Sequence, residues 1–186
     1  MVTLTTERLL LAPPEASDVT PLYRNLRAGR ITDTIVWDGP RSRGEYSQAL
    51  RQFRRSHRRG KPENWVIRLL TDRQPIGCIS LRRELPAGRA NLGYWLAEPM
   101  QGQGYMTEAA AELVRWGFEQ QQLEKIEAAV FLGNVASRRV LEKIGLVCEG
   151  TIRKRIYKRG SWVDEWLMGI TREDFRGRQQ GNGLVS

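Results

Sequence analysis

The fold is indicated by the run Leu92-Gly93-Tyr94-Trp95-Leu96-Ala97-Glu98-Pro99-Met100-Gln101-Gly102-Gln103-Gly104-Tyr105-Met106-Thr107-Glu108-Ala109. Its first five residues are apolar or aromatic apart from one glycine, which is typical of a buried strand. The two glycines at positions 102 and 104 predict a tight turn. From Met106 onward, small and apolar side chains recur at helical spacing. The run therefore predicts a strand, a glycine turn and a helix, in that order.

This order of elements builds an anion site, because the first N–H groups of a helix lack a partner within it and the helix dipole favours negative charge there. Glycines let the backbone approach a phosphate without a Cβ in the way. A Walker A loop is excluded because no Lys follows the second glycine, and a dinucleotide fingerprint needs three glycines. The pattern Q-x-x-G-x-[GA] does fit Gln101 and Gly104, and an ordinary strand–turn–helix junction is the alternative.

A second motif, N-x-x-S-x-x-V-x-x-K-x-G followed by E-G, is formed by Asn134, Ser137, Val140, Lys143, Gly145, Glu149 and Gly150. Together with the glycine turn it resembles the GNAT superfamily of N-acyltransferases. The runs L-G-Y-W-L and Q-G-Q-G-Y-M-T-E-A, and the opening T-x-R-L-x-L, are similar to the RimJ/RimL type, which acetylates the N-termini of ribosomal proteins. Met106 departs from the Gly or Ala of the family pattern, and Gln103 from its frequent Lys or Arg.

The resemblance implies an α/β (α+β) GNAT fold, in which a mixed, mostly antiparallel sheet is splayed centrally and carries helices on both faces. Hydrophobic periodicity predicts the order β-α-α-β-β-β-α-β-α-β-β, beginning with one strand over residues 3–12. Residues 1–175 are predicted to form a single acyltransferase domain. Residues 176–186 are rich in Gly, Gln and Asn, which predicts a disordered C-terminal tail.

The resemblance also implies that acetyl-CoA is the co-substrate. The backbone of residues 102–107 would hold its pyrophosphate, and a backbone N–H near Tyr94 would polarise the thioester carbonyl. Asn134 would bond the pantetheine arm and Ser137 the sulfur, although Asn134 is also a good helix N-cap and Ser137 an ordinary first-turn residue. The implied cofactor-binding residues are Tyr94, Trp95, Leu96, Gln101, Gly102, Gln103, Gly104, Tyr105, Met106, Thr107, Asn134 and Ser137.

The general base is the least defined group. Many relatives have Glu just before L-G-Y, where this chain has Asn91, and RimL-like relatives have Glu where it has Ile156. Glu84 and Tyr157 remain as candidates, beside Ser137 as the catalytic group at the thiolate. At pH 7, deprotonation costs about 1 kcal/mol for an α-amine and about 4.6 kcal/mol for lysine, from pKa values of ~8 and ~10.4. A site without a strong base therefore suits an α-amine.

The composition favours an anionic partner, since the net charge is +9 and the pI is about 10.1. His57 is the only histidine and is predicted to lie exposed on a basic helix over residues 45–59, so neither a histidine triad nor a multi-histidine metal site is expected. Two distant cysteines, no apolar run of membrane-spanning length and no apparent signal peptide predict a cytoplasmic protein without a membrane or a metal.

Three functions fit these observations. The first is transfer of acetyl to the N-terminal α-amine of a ribosomal or other protein, with the ribosome as an implied partner. The second is acetylation of a small amine such as a polyamine, amino acid, sugar amine or antibiotic. The third is a non-catalytic module that binds acyl-CoA or RNA. Residues 35–37 are candidates for lining an acceptor cleft, and the choice between monomer and homodimer stays open.

Overall fold

The computed structural model describes residues 1–84 and 88–182. Its eight strands are β1 Leu4–Thr5, β2 Leu9–Ala12, β3 Asn64–Leu69, β4 Pro75–Glu84, β5 Arg89–Leu96, β6 Lys125–Phe131, β7 Val147–Lys158 and β8 Ser161–Thr171. Its α-helices are α1 Val19–Ala28, α2 Arg43–Arg58, α3 Tyr105–Glu119, α4 Val135–Lys143 and α5 Arg172–Asn182. Over the described ranges, no helix combines the length and the apolar character needed to cross a bilayer.

All strands join one sheet in the order β1-β2-β3-β4-β5-β6-β8-β7, and β5–β6 is its parallel pair. These two strands are hydrogen-bonded only where residues 89–91 meet residues 125–127. Beyond that point residues 92–96 and 128–131 diverge, and we call the space between them the β5–β6 gap. Its closed end lies at the start of both strands and its open end at their C-termini. The predicted splayed, mostly antiparallel sheet is confirmed.

Helices cover both faces of the sheet because successive strand residues point to opposite sides. On the α3/α4 face, Trp65, Ile79 and Leu92 pack with the apolar stripe of α3 and with Leu141 of α4. On the α1/α2 face, Val66 and Trp95 pack against residues of α1 and α2. The two faces of β5 thus look into different cores.

The N-terminal segment differs from the single predicted strand, since β1 and β2 form a short antiparallel hairpin. Thr6 makes the reversal, because its Oγ1 accepts a hydrogen bond from the N–H of Leu9 at 3.0 Å and its own N–H donates to the Leu9 carbonyl at 2.9 Å. The apolar, β-rich composition of residues 3–12 predicted extended backbone correctly. It could not predict the Thr6 side-chain hydrogen bond that reverses the chain.

His57 is buried, with 2% of its surface exposed, contrary to the exposed position expected from its basic neighbours. Its Nε2 lies 2.7 Å from the Asn64 carbonyl oxygen, and its ring packs edge-on to Trp65 with centroids 5.1 Å apart. Burial lowers the pKa of His57. The arginines around His57 suggested a solvent-exposed helix face, but position 57 faces the core of the protein.

The C-terminal prediction also needs correction, because α5 covers residues 172–182, where a disordered tail was expected from 176. Phe175 stacks on Phe118 of α3 with centroids 4.9 Å apart, and the Arg172 Nε donates to the Leu123 carbonyl at 2.9 Å. The Asp174 carboxylate accepts the N–H of Thr171 at 3.1 Å and caps the helix start. These tertiary contacts outweigh the polar composition. Residues 183–186 of the predicted tail lie outside the described part of the chain.

Candidate active site

The glycine loop, residues 101–107, closes the end of β5 onto α3. Gly102 and Gly104 have φ of 75° and 83°, a left-handed conformation that side chains disfavour. The N–H of Glu108 bonds the Gly104 carbonyl at 3.0 Å, but within the described part of the chain no acceptor meets the N–H groups of residues 102–107. The loop therefore presents free donors at a helix N-terminus, the geometry that binds a phosphate.

Two predicted loop residues shape the backbone through their side chains. The Gln101 Nε2 donates to the Leu96 carbonyl at 3.0 Å, and the Gln103 Nε2 donates to the Pro99 carbonyl at 2.8 Å. Met106, the departure from the Gly or Ala of the motif, is buried in the α3/α4 core. Its side chain therefore points away from the anion site, which explains why the loop tolerates it.

An ion pair that the sequence analysis missed stands beside this loop. Arg8 and Glu108 are joined at 2.7 Å, and Arg8 also donates to the Gln103 carbonyl at 3.1 Å. The Thr6 hydroxyl donates to the second Glu108 oxygen at 2.5 Å. Burial alone would raise the pKa of Glu108, but the bonds from Thr6 and Arg8 lower it below its usual value. Arg8 thus supplies a cation next to the loop, where position 103 lacks one.

Tyr94 and Ser137 are two predicted residues that the fold brings together across the β5–β6 gap. The Tyr94 hydroxyl lies 2.9 Å from Ser137 Oγ and 3.2 Å from the Ser137 carbonyl oxygen. Burial raises the pKa of Tyr94 to about 12, so its hydroxyl stays protonated at neutral pH. The pair therefore offers hydroxyl donors on the α3/α4 face. The sequence had indicated Tyr94 for its backbone and missed its hydroxyl.

Asn134 has both ends of its amide occupied. Its Oδ1 accepts the N–H of Ser137 at 3.1 Å, as an N-cap does, and its Nδ2 donates to the Thr34 carbonyl at 3.4 Å. The capping role that was open as an alternative is thus present in this structure. A bond to pantetheine would have to replace the long contact with Thr34.

Segment 31–38 lies between α4 and the β7–β8 hairpin. Its start is the 3-10 turn Ile31–Thr34, bonded to Asn134, and its end is held by Lys158, a buried cation. The Lys158 Nζ donates to the Ile35 carbonyl at 2.6 Å and pairs with Asp38 at 2.8 Å. Ile35 packs into the α1/α2 core. The segment therefore spans from α4 to the hairpin, and the lining of an acceptor cleft by residues 35–37 stays a prediction.

Neither predicted base lies at the Tyr94–Ser137 pair. In the strand register, the backbone of Glu84 lies opposite that of Arg89 at the closed end of the gap, and Tyr94 is five residues further along β5, about 17 Å away at 3.4 Å per residue. Tyr157 is 62% exposed and packs on Trp162 at the tip of the β7–β8 hairpin. The strand register therefore places both positions away from the Tyr94–Ser137 pair.

Residues 8–147 match the model of the acetyltransferase (GNAT) domain family. The chain belongs to the GNAT acetyltransferases. It is 33% identical over 148 residues to YjcK of Bacillus subtilis strain 168, a probable N-acetyltransferase, and the match covers 78% of each chain. The ribosomal-protein-S5-alanine acetyltransferase of Vibrio fischeri superposes with a TM-score of 0.80 at 26% identity, over 94% of this chain and 99% of that one. RimL, a ribosomal L7/L12 α-N-protein acetyltransferase solved with coenzyme A, gives 0.80 at 20% identity, over 91% and 98%.

As a GNAT acetyltransferase, the protein transfers acetyl from acetyl-CoA to an amine nitrogen. The predicted family and enzyme class are confirmed, and so is the likeness to RimJ/RimL enzymes. The assignment of the glycine loop to pyrophosphate and of the Tyr94–Ser137 pair to the thioester stays a prediction.

Proposed function

We propose that this acetyltransferase modifies the N-terminal α-amine of a protein. The cofactor would lie with its pyrophosphate on the N–H groups of residues 102–107, beside the Arg8 guanidinium. Its pantetheine arm would run along α4 into the β5–β6 gap. The gap suits a thioester because residues 92–96 bond β4 on one side only, so alternate N–H groups of β5 face the gap and can polarise a carbonyl oxygen.

The leaving thiolate would form beside Tyr94 and Ser137 on the α3/α4 face. Both hydroxyls can donate hydrogen bonds to sulfur, and such bonds strengthen as negative charge develops there. Since the pKa of Tyr94 is about 12, its proton is available as a donor throughout the neutral range.

A basic bulge in β7 is the observation that favours a protein N-terminus over a polyamine as the acceptor. Residues 153–155, Arg-Lys-Arg, bulge out of the ladder between the pairs Ile152–Glu165 and Ile156–Val163, and all three are exposed. The bulge is fixed by Lys154, whose φ is 48° and whose N–H donates to Asp164 at 2.8 Å. A cluster of cations at this edge repels a polyamine and attracts an acidic polypeptide. The similarity to a ribosomal-protein acetyltransferase supports the same choice.

The proposal is tested with peptides. The difference in deprotonation cost between an α-amine and a lysine is about 3–4 kcal/mol, so kcat/KM for an acidic peptide with a free N-terminus should exceed that for spermidine or a lysine side chain by more than about a hundredfold. Raising the salt concentration should lower it. Arg153→Glu should reproduce the effect of salt, whereas Arg176→Glu, an exposed position on α5, should not. Faster turnover of spermidine at pH 7 would contradict the proposal and favour a small-amine acceptor.

A further inference from the structure

Glu165 lies on β8 beside the open end of the β5–β6 gap. It is paired with Phe131, the last residue of β6, on one side and with Ile152 of β7 on the other. Since Val130 belongs to the α3/α4 core, alternation turns Phe131 and its partner Glu165 to the α1/α2 face. Trp95 of β5 looks to the same face. Glu165 is therefore on the side of the gap opposite the Tyr94–Ser137 pair.

The carboxyl of Glu165 is buried and incompletely bonded. The residue is 2% exposed, and its Oε1 has no hydrogen-bond partner among the described residues. Its Oε2 lies 4.0 Å from the Nε of Arg155 of β7, whose side chain is 60% exposed. Asp164, its neighbour on β8, instead accepts the N–H of Lys154. A buried carboxyl oxygen without a donor is costly, so its presence calls for an explanation.

Glu127 shows what a purely structural buried carboxylate looks like in this sheet. It lies on the same face of β6, four residues before Phe131 and at the closed end of the gap, and is bonded to Arg89 and to Lys125. These cations lower the pKa of Glu127 despite its burial. Burial raises the pKa of Glu165, and the distant Arg155 offsets this only in part. The two carboxyls therefore differ in charge environment and not in burial.

We propose that Glu165 is the general base of acetyl transfer, acting through Oε1 on an amine that enters from the α1/α2 face. This inference rests on the proposed function for the position of the thioester in the β5–β6 gap and for the identity of the amine. The ammonium group of the acceptor gives one proton to the Glu165 carboxylate, directly or through one water. The neutral nitrogen then attacks the thioester carbon, the C–N bond forms, and the C–S bond breaks as the thiolate leaves toward Tyr94 and Ser137. The second proton of the attacking nitrogen passes to the thiolate, so the products are the amide, the CoA thiol and protonated Glu165, which returns its proton to solvent.

The division between faces fits this chemistry. Nucleophile and leaving group must occupy different sides of the tetrahedral carbon, and at the gap alternate residues of β5 face the two sides of the sheet. Hydroxyl donors stand on the α3/α4 face, where negative charge appears on sulfur, and a proton acceptor stands on the α1/α2 face, where the amine loses its proton. A base whose pKa is raised toward neutrality is also better matched to an amine than an ordinary carboxylate.

The test compares Glu165→Gln with wild type and with the matched control Glu127→Gln, using the amine that wild type turns over fastest. Glu165→Gln should lower kcat/KM at pH 7 by about 10²–10⁴-fold. The deficit should shrink as pH rises through the pKa of the amine, because the amine then loses its proton to solvent. Acetyl-CoA affinity should be unchanged. Glu127→Gln should lower the melting temperature and leave the shape of the pH–rate profile as in wild type.

Folding is checked on the same samples. Glu165→Gln should melt no lower than wild type at pH 7, because it removes a buried carboxyl that is unfavourable when ionised. Glu165→Asp keeps a carboxylate and should recover part of the activity. Wild-type kcat/KM and an unaltered pH profile in Glu165→Gln would overturn the inference. Failure of the α-amine preference is a separate result, seen in the wild-type ranking of acceptors, and leaves this comparison intact.

Discussion

Replacing Gly104 by aspartate tests whether the glycine loop holds the cofactor. Gly104 has φ of +83°, so any side chain costs about 1–2 kcal/mol in the left-handed region. A Cβ at this position would lie 3.3 Å from the terminal nitrogen of Arg8, which can shift because it is the end of a flexible side chain. The carboxylate adds negative charge at the helix N-terminus where the pyrophosphate would lie. If half of the strain and a comparable electrostatic term appear in binding, the binding free energy weakens by about 1–2 kcal/mol, so acetyl-CoA affinity falls by about five- to thirtyfold at 1.4 kcal/mol per decade.

Isothermal titration calorimetry with acetyl-CoA measures the loss, and two further glycines separate its causes. Gly60→Ala places a side chain at φ of +71° with no atom within 4 Å, and lies at the end of α2, so it should lower stability without changing affinity. Gly102→Ala, at φ of +75° and equally free of neighbours, places the same backbone strain within the loop but adds no charge. It therefore measures the part of the affinity loss that is due to strain alone. An acetyl-CoA affinity equal to wild type in Gly104→Asp would refute the assignment of the loop.

Two more outcomes follow from the site. Ser137→Ala should lower kcat while acetyl-CoA affinity changes little, because its bond to sulfur strengthens only as the thiolate forms; steady-state kinetics with an unaltered kcat would reduce Ser137 to a helix residue. Glu108→Gln should lower the free energy of unfolding at pH 7 by about 1–2 kcal/mol. This range allows for solvent screening of the ion pair, because the Arg8 side chain is 44% exposed. Since the folded pKa of Glu108 is lowered, this difference should be lost as pH falls through and below about 4, and equal losses at pH 3 and 7 in urea melts would contradict the electrostatic explanation.

The parts of the site that the sequence predicted are those set by short spacing along the chain. The glycine loop and the cap of α4 each occupy fewer than ten residues, and turn chemistry and helix capping act over that range. The splay of β5 from β6 followed because the family resemblance covers both strands. The Arg8–Glu108 pair joins residues a hundred positions apart, and the tie between Lys158 and segment 31–38 is longer still. No local pattern marks either of them.

The sequence alone did not indicate Glu165 as a candidate base, and the reason lies in the strand order. The family resemblance pointed to a carboxylate at positions 91 and 156, which hold Asn and Ile, and left Glu84 and Tyr157 as candidates. In a sheet, however, the next side chain on the same face belongs to the neighbouring strand about 5 Å away. Glu165, which we propose as the base, lies opposite Phe131 at the C-terminal end of β6 because β8 pairs with β6 out of sequence order, with β7 on the outside. The topology that splays β5 from β6 therefore also decides which later strand can supply the residue that acts there.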